Sequence, residues 1–304
     1  MRLAGVMGDR FLVSDEVWSV IGPLFPTWKG NGRPVADRRL VVEGTAWKFR
    51  TGAPWRDLPE HFGNWNTVFK NFDRWAKDGT WTKVLERVQT RAETLGDLDW
   101  IASIDSTIVR VHQHGATLPR PAGAPSNYMK LGPEPADHAI GRSRGGLTTK
   151  LHMVTDGRGR MLSGVLTAGN INDTTMMAAT LEGIRVPRSG KGRPRTRPDR
   201  VLADKGYTSR ANRIWLAERG IKATIPEKSD QAANRKKKGS SGGRPPAFDA
   251  EAYKGRNVVE RGFSQLKNWR GLAMRSDKTA RNYMAAIQLA ASLAWLKASF
   301  SNTP

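Results

Sequence analysis

The spacing of apolar residues changes once along this chain, and that change sets the order in which helices and strands follow one another. Residues 14–95 carry the three-to-four-residue spacing of amphipathic helices, whereas from Asp99 the spacing falls to two residues, which is typical of strands. Strand-like runs then alternate with helices, and two long helices close the chain. This order predicts a mixed α+β protein, with an N-terminal all-helical domain over residues 1–95 and a mixed-sheet domain with helices on both faces over residues 96–304.

The net charge of the chain indicates what kind of partner it binds. The 304 residues include 50 Lys and Arg against 28 Asp and Glu, which gives a formal charge of +22. A chain this basic most often binds a polyanion, and nucleic acid is the first candidate. The absence of cysteine excludes disulfides, thiolate metal sites and cysteine nucleophiles. No run of about 18 apolar residues is present, so neither a membrane span nor a membrane partner is expected.

The basic residues are concentrated in segments that are rich in glycine, proline or serine. We expect flexible basic loops near residues 115–137, 185–200 and 228–247. The third loop holds four consecutive cations that are candidates for contacts with DNA phosphates, namely Arg235, Lys236, Lys237 and Lys238. In the helical domain, the helix expected over residues 36–50 is the candidate for insertion into a DNA groove, and most tryptophans are expected to anchor the core.

Two isolated aspartates each follow a short apolar run with strand character. Asp105 lies in IASIDST, and Asp204 lies in RVLADKGY. A strand that ends in Asp places a carboxylate at the edge of a sheet, and Mg²⁺ prefers a few hard oxygen ligands of this kind. Each aspartate could instead cap a turn and do nothing more, and the pattern alone leaves that alternative open.

Near the C-terminus, polar and aromatic residues repeat at steps of three and four, which places Tyr253, Arg256, Glu260, Phe263 and Lys267 on one face of a helix. This face offers a third carboxylate together with groups that can hold phosphate oxygens. Taken alone, a solvated helix with an Arg256–Glu260 ion pair would be the simpler interpretation. Combined with Asp105 and Asp204, the set indicates a two-metal phosphoryl-transfer site.

These motifs resemble those of bacterial insertion-sequence transposases of the IS-five group, within the wider IS-four superfamily of DDE transposases. The family signature Tyr-x2-Arg-x3-Glu-x6-Lys is matched by Tyr253, Arg256, Glu260 and Lys267. IDST and ADKGY resemble the two aspartate motifs of the family, and GRSRGGLTTKLH and GAPWRDLP also resemble family segments. The resemblance covers nearly the whole chain.

The resemblance implies an RNase H-like core and a DNA transposase. Asp105, Asp204 and Glu260 would be the catalytic residues and would hold two Mg²⁺ or Mn²⁺ ions. Arg256 and Lys267 would contact DNA phosphates at the transposon end, while Tyr253 would do the same or stack on a base. The implied partners are double-stranded DNA, both terminal inverted repeats and target DNA, and further copies of the chain in a homodimer or higher oligomer. The implied location is the bacterial cytoplasm, in association with the nucleoid.

Two other functions fit parts of the same pattern. A non-catalytic, sequence-specific DNA-binding protein would explain the charge and the helical domain, but it would not explain three carboxylates in these positions. An RNase H-like nuclease without strand transfer would use the same carboxylate chemistry, so only the resemblance separates it from a transposase.

Overall fold

The computed structural model describes residues 12–27, 36–117 and 138–301, so most of the loop expected near 115–137 lies outside the described residues. The helices are α1 (Asp15–Ile21), α2 (Arg38–Thr51), α3 (Trp65–Lys77), α4 (Thr80–Thr94), α5 (Asp173–Glu182), α6 (Arg210–Glu218), α7 (Ser229–Lys237), α8 (Ala250–Tyr253), α9 (Val258–Lys267), α10 (Arg270–Ala273) and α11 (Ala280–Ser301). The strands are β1 (Ile101–Val111), β2 (Gly141–Ser143), β3 (Gly146–Thr155), β4 (Met161–Ala168), β5 (Arg200–Ala203), β6 (Lys222–Thr224) and β7 (Met274–Arg275). None of the described helices is both long and apolar enough to cross a membrane.

The sheet combines antiparallel and parallel pairing around β1. Its main strands lie in the order β4-β3-β1-β5-β6, while the short β2 pairs with the start of β3 and the short β7 pairs with the end of β1. β3 runs antiparallel to β1 and to β4, whereas β5 is parallel to β1 and β6 is parallel to β5. Three long antiparallel strands followed by two short parallel ones form the RNase H-like arrangement. The fold expected from the resemblance is therefore confirmed.

Helices cover both faces of this sheet. Because side chains alternate along a strand, neighbouring residues of β3 serve opposite faces. His152 lies beside Asp173 of α5, whereas Met153 lies beneath Gly262 of α9. An added Cβ at Gly262 would lie 2.6 Å from the carbonyl oxygen of Gly159, so glycine permits the close approach of α9 to the sheet. The candidate site lies where β1 and β5 pass between these two helices.

One continuous apolar core joins the N-terminal helices to the sheet. Trp75 and Trp81 are almost fully buried in it, as expected for core anchors. The side chain of Gln89 in α4 donates to the carbonyl oxygens of Met161 and Leu162 in β4, at 3.0 and 2.9 Å. A fragment that stopped at residue 95 would expose these packed faces, so the division of the chain at that residue stays a prediction.

Helix α2 lies in the interior, and the prediction that it enters a DNA groove is wrong. Residues 41–46 are all buried, and even Glu43 and Lys48 are only 3% and 2% exposed. The Glu43 carboxylate accepts two backbone N–H groups, and the Lys48 ammonium lies 3.4 Å from the hydroxyl of Ser276. A helix that reads DNA needs a free face, but here apolar and small residues bury the middle of the helix and its charges are satisfied internally.

A buried ion cluster fastens the β3–β4 hairpin to the C-terminal helix. The Arg160 guanidinium donates to the carboxylates of Asp156 and Asp97, at 2.6 and 2.5 Å. It also lies 3.9 Å from the ring centroid of Trp295 in α11. The indole N–H of Trp295 in turn donates to the carbonyl oxygen of Met161, at 2.8 Å. One tryptophan therefore supports both the hairpin and the start of β4.

The segment near 228–247 contains a helix where a loop was expected. α7 covers Ser229–Lys237, and its sequence SDQAANRKK contains Ala, Gln, Arg and Lys, which favour helices. Arg235 forms an ion pair with Glu227 at 3.0 Å, whereas Lys236, Lys237 and Lys238 are exposed. The segment near 185–200 lacks a helix and carries only an isolated antiparallel bridge between Val186 and Arg195.

Candidate active site

Asp105 and Asp204 lie side by side on adjacent strands. β1 and β5 are parallel, and the register that pairs Ile104 with Ala203 brings the next residue of each strand to the same level. Asp204 Oδ1 accepts the backbone N–H of Gly206 at 2.8 Å and begins a 3₁₀ turn. β1 does not end at Asp105 but continues to Val111, because β3 goes on pairing with it after β5 has ended. Asp204 therefore follows the end of a strand, as expected, whereas Asp105 lies within one.

Arg256 connects Asp105 to Glu260. Its Nη2 donates to Oδ2 of Asp105 at 2.7 Å, and its Nη1 donates to Oε1 of Glu260 at 2.8 Å. The Glu260 carboxylate is 54% exposed, whereas that of Asp105 is only 20% exposed. Arg256 therefore does more than pair with Glu260 on a solvated helix, since the same guanidinium also bonds to Asp105 in the sheet.

The other signature residues lie along the same helical run. α8 ends at Tyr253, residues 254–257 form a 3₁₀ turn, and α9 continues from there to Lys267. The Lys267 ammonium donates to the hydroxyl of Thr107 at 2.7 Å and to the carbonyl oxygen of Ile108 at 3.3 Å. Tyr253 is half-buried, and its ring packs against Phe248 with 5.1 Å between centroids. Lys267 thus fastens α9 to β1, beside the candidate carboxylates.

Burial and like charge act together in this site. Burial raises the pKa of Asp105, and the negative charges of Asp204 and Asp173 act in the same direction. The backbone N–H of Ser106 and the guanidinium of Arg256 oppose the rise in pKa. Such a crowded group of acids is stabilised when a cation enters it, because the cation offsets the mutual repulsion.

The donor atoms fit a hard divalent cation by their chemistry. Asp105, Asp204 and Glu260 offer only carboxylate oxygens, the ligands that Mg²⁺ and Mn²⁺ prefer. Across residues 12–27, 36–117 and 138–301, no three acidic or histidine side chains are grouped closely enough to hold one ion. Two of the three carboxylates are bonded to Arg256, which already supplies one positive charge between them. The site thus consists of a pair of aspartates and one glutamate, and Arg256 joins that glutamate to Asp105.

A second polar group, which no sequence motif indicated, borders this site. Asp173 Oδ1 accepts the hydroxyl hydrogen of Ser106 at 2.8 Å and a hydrogen bond from the ammonium of Lys150 at 2.9 Å. His152 Nδ1 lies 3.8 Å from the same oxygen. The detectable signal was the alternation of polar residues in LTTKLH, because a spacing of two places Lys150 and His152 on one face of β3.

Tyr207 lies close to the two candidate aspartates and to Asp173. It is 1% exposed, and its hydroxyl lies close to the side chain of Ser106. Burial raises the pKa of this hydroxyl, and the charges of Asp105, Asp173 and Asp204 raise it further. The phenol therefore stays protonated while it lies among the three aspartates.

His152 predicts a pH dependence of folding. Burial lowers the pKa of His152 from 6.5 to about 4. Between these two pH values, the unfolded chain binds a proton at this residue and the folded chain does not. Stability should therefore fall as the pH falls from about 6.5 towards about 4, by about 2–3 kcal/mol for this group. Urea unfolding at about pH 7 and about pH 4.5, for the wild type and for His152→Gln, measures the difference. An equal loss of stability in both proteins would show that His152 is not the source.

Two family profiles match the chain. The first, described as "Transposase DDE domain", matches residues 96–295, and the second, described as "Putative transposase of IS4/5 family", matches residues 13–85. The first range contains Asp105, Asp204 and Glu260.

Among curated proteins, "Uncharacterized protein y4sN" of Sinorhizobium fredii is 37% identical over 110 residues, which cover 36% of this chain and 84% of that protein. "Putative transposase for insertion sequence element IS402" of Burkholderia cepacia is 36% identical over 53% of this chain and 65% of its own length. "Putative transposase for insertion sequence element IS6501" of Brucella ovis is 30% identical over 50% of this chain and its full length. A solved structure, the Mos1 strand transfer complex, aligns over 82% of this chain and 80% of its own chain, at 13% identity and with a TM-score of 0.24.

Proposed function

The chain belongs to the transposase DDE-domain family, and on that premise we propose that it is a DNA transposase that binds transposon ends, cleaves them and joins the 3′-hydroxyl ends to target DNA. One observation carries the proposal: Asp105 and Asp204 lie together on parallel strands, and Glu260 is joined to Asp105 through a single guanidinium. A binding protein without catalysis has no need for this costly concentration of partly buried acids.

We assign the metal-holding role to Asp105, Asp204 and Glu260. Two Mg²⁺ or Mn²⁺ ions bound there would supply Lewis-acid activation of a water or 3′-hydroxyl nucleophile and stabilisation of the leaving oxygen. The chain's own residues set the geometry around them. β1 and β5 hold the two aspartates at one level, and Lys267 anchors the helix that carries Glu260 to β1. Arg256 and Tyr253 stand beside these acids, where they can meet the phosphates or the terminal base of the DNA end.

DNA is the proposed partner along the basic surface as well. The exposed Lys236, Lys237 and Lys238 have no carboxylate to pair with among the described ion pairs, unlike Arg235. Such cations can follow a phosphate backbone without reading its sequence. We propose that further copies of the chain assemble on the paired ends, and that the protein acts at the bacterial nucleoid in the cytoplasm.

A strand-transfer assay tests the function. Purified full-length protein is mixed with Mg²⁺, a target plasmid and labelled duplexes that carry the inverted repeats flanking the gene. Joining of the 3′-hydroxyl end to the plasmid is the expected product. Specific binding with neither cleavage nor joining would favour a DNA-binding regulator, and cleavage without joining would favour a nuclease.

Arg256→Ala should reduce the rate but increase the affinity for the cation. The substitution removes the positive charge between Asp105 and Glu260, so a divalent ion meets less competition for these carboxylates. Strand transfer should nevertheless fall by on the order of 10²-fold, because the DNA end loses a positioning group. Mn²⁺ titration and single-turnover kinetics measure the two effects separately. Weaker Mn²⁺ binding would contradict the proposed competition.

Binding to DNA should depend steeply on salt, and part of that dependence should come from α7. Removal of Lys236, Lys237 and Lys238 should lower the slope of log K against log salt by up to about 2.7, at about 0.9 for each lost phosphate contact. Arg235→Ala serves as the control, because Glu227 already neutralises that cation. Fluorescence anisotropy at several salt concentrations gives the slopes. Identical slopes for the wild type and the triple variant would place these lysines away from the DNA.

A further inference from the structure

The group centred on Asp173 is more elaborate than the start of a helix requires. α5 is already capped, since the side chain of Asn172 accepts the backbone N–H of Thr174 at 3.0 Å. Asp173 Oδ1 nevertheless receives two further hydrogen bonds, from the Ser106 hydroxyl and the Lys150 ammonium. Both donors come from the sheet rather than from the helix, so the contacts join two separate parts of the fold.

Lys150 is held in place by these contacts. Its side chain is only 11% exposed, and its ammonium donates both to Asp173 and to the carbonyl oxygen of Ile171, at 2.9 and 2.7 Å. Removing an ammonium from water to this extent is costly unless charge and hydrogen bonds compensate for it. The arrangement therefore fixes the Asp173 carboxylate and compensates its charge, even though that carboxylate is 38% exposed.

Ser106 connects the Asp173 carboxylate to the candidate site. Its backbone N–H donates to Oδ1 of Asp105 at 2.8 Å, while its hydroxyl donates to Asp173 at 2.8 Å. The residue is thus held between two carboxylates, one of which belongs to the proposed catalytic set. The buried hydroxyl of Tyr207 lies close to Ser106, within the field of both aspartates. The Asp105 carboxylate, whose Oδ1 accepts the Ser106 N–H, receives Arg256 through its other oxygen, Oδ2.

We propose that Asp173 is a positioning residue of the transposase site: with Lys150, it fixes Ser106 and thereby holds the Asp105 carboxylate in the orientation that receives the divalent cation. The inference rests on the proposed function and adds a residue outside the three carboxylates. Residues that orient metal ligands typically contribute about 10–100-fold to metal affinity or activity.

The test compares Asp173→Ala with a matched control, Asp73→Ala. Asp73 likewise accepts from one lysine and one neutral side chain, Lys77 at 2.6 Å and Asn282 at 3.1 Å, and it also pairs with Arg281 at 3.6 Å, but it lies between α3 and α11. Full-length proteins are titrated with Mn²⁺ without DNA, using the electron paramagnetic resonance signal of free Mn²⁺. Asp173→Ala should bind Mn²⁺ about tenfold or more weakly, and Asp73→Ala should bind it as the wild type does.

Three further measurements separate positioning from a general loss of structure. Asp173→Asn keeps an oxygen that can accept from Ser106, so it should recover part of the Mn²⁺ affinity. Ser106→Ala should reproduce the loss seen in Asp173→Ala, and the double variant should be no worse than either single one, because both substitutions break the same connection. The Mg²⁺ concentration for half-maximal strand transfer should rise by the same factor as the Mn²⁺ dissociation constant.

Wild-type Mn²⁺ affinity in Asp173→Ala, or additive losses in the double variant, would overturn the proposal. A wild-type protein that binds Mn²⁺ but neither cleaves nor joins DNA would overturn the proposed function instead. The metal titration still reports on Asp173 in that case, so the two failures are distinguishable. Melting temperatures of all variants show whether each one is folded.

Discussion

Glu260→Gln is expected to reduce end cleavage and strand transfer by about 10³-fold or more, while transposon ends are still bound. Glutamine preserves the shape of the side chain but removes the negative charge. Two divalent ions bound as proposed would bring four positive charges into a small volume, and the loss of one carboxylate would leave their repulsion under-compensated. A loss of about 4 kcal/mol in transition-state stabilisation corresponds to this reduction in rate. Asp105→Asn and Asp204→Asn should have similar effects, because these residues form the other half of the site.

End binding should survive these substitutions because the phosphate contacts proposed for it lie elsewhere on the basic surface. Asp199→Asn is the control, since its carboxylate is 72% exposed and pairs only with the nearby Arg195. Its activity should stay close to that of the wild type. Single-turnover strand transfer and a gel shift with labelled ends provide the two measurements. Magnesium-dependent joining at the wild-type rate by Glu260→Gln would remove this residue from the site.

Trp295→Ala is expected to cause the largest loss of stability. The side chain is 1% exposed, covers the guanidinium of Arg160 and donates to the carbonyl oxygen of Met161. Replacement would leave a cavity and a carbonyl without its partner. Truncation of a buried tryptophan costs about 3–5 kcal/mol, which should lower the melting temperature by roughly 10 °C in a chain of this size.

Trp215→Ala is the matched control, because this tryptophan of α6 is only half-buried and stacks with the half-buried Arg219. It should cost about 1 kcal/mol or less, as expected for a change near the surface. Thermal unfolding followed by circular dichroism compares the two variants. If their melting temperatures are equal, the contact between α11 and the hairpin does not stabilise the fold as described.

The periodicity of the sequence predicted the helical N-terminal region, the mixed sheet and the long C-terminal helix, because burial imposes a regular spacing on each element. It also placed Asp105 and Asp204 on strands, although only the register shows that they are neighbours. The contacts of Arg256 could not be predicted, since Asp105 lies 151 residues away along the chain. The spacing within one helix reveals partners on that helix and says nothing about the opposing sheet.

Two errors have a common physical origin. Basic residues suggested that α2 was exposed, and a basic composition rich in glycine and serine suggested that residues 228–247 formed a loop. Lys48 instead lies in the interior beside aromatic rings, and the Lys and Arg residues of α7 extend a helix. Long cationic side chains bury their methylene groups readily and favour helices, so charge alone decides neither question.

The hydrogen bonds that α4 and α11 make to β4 also bear on how copies of the protein meet. β4 and β6 lie at the two ends of the described sheet, and an open edge strand invites pairing with another chain. At β4, the side chains of Gln89 and Trp295 bond to the carbonyl groups of Met161 and Leu162, so helix side chains cover the start of this strand. At β6, only three residues are available, and Lys222 is exposed there. Both ends of the sheet therefore offer little free backbone for pairing with a strand of another chain.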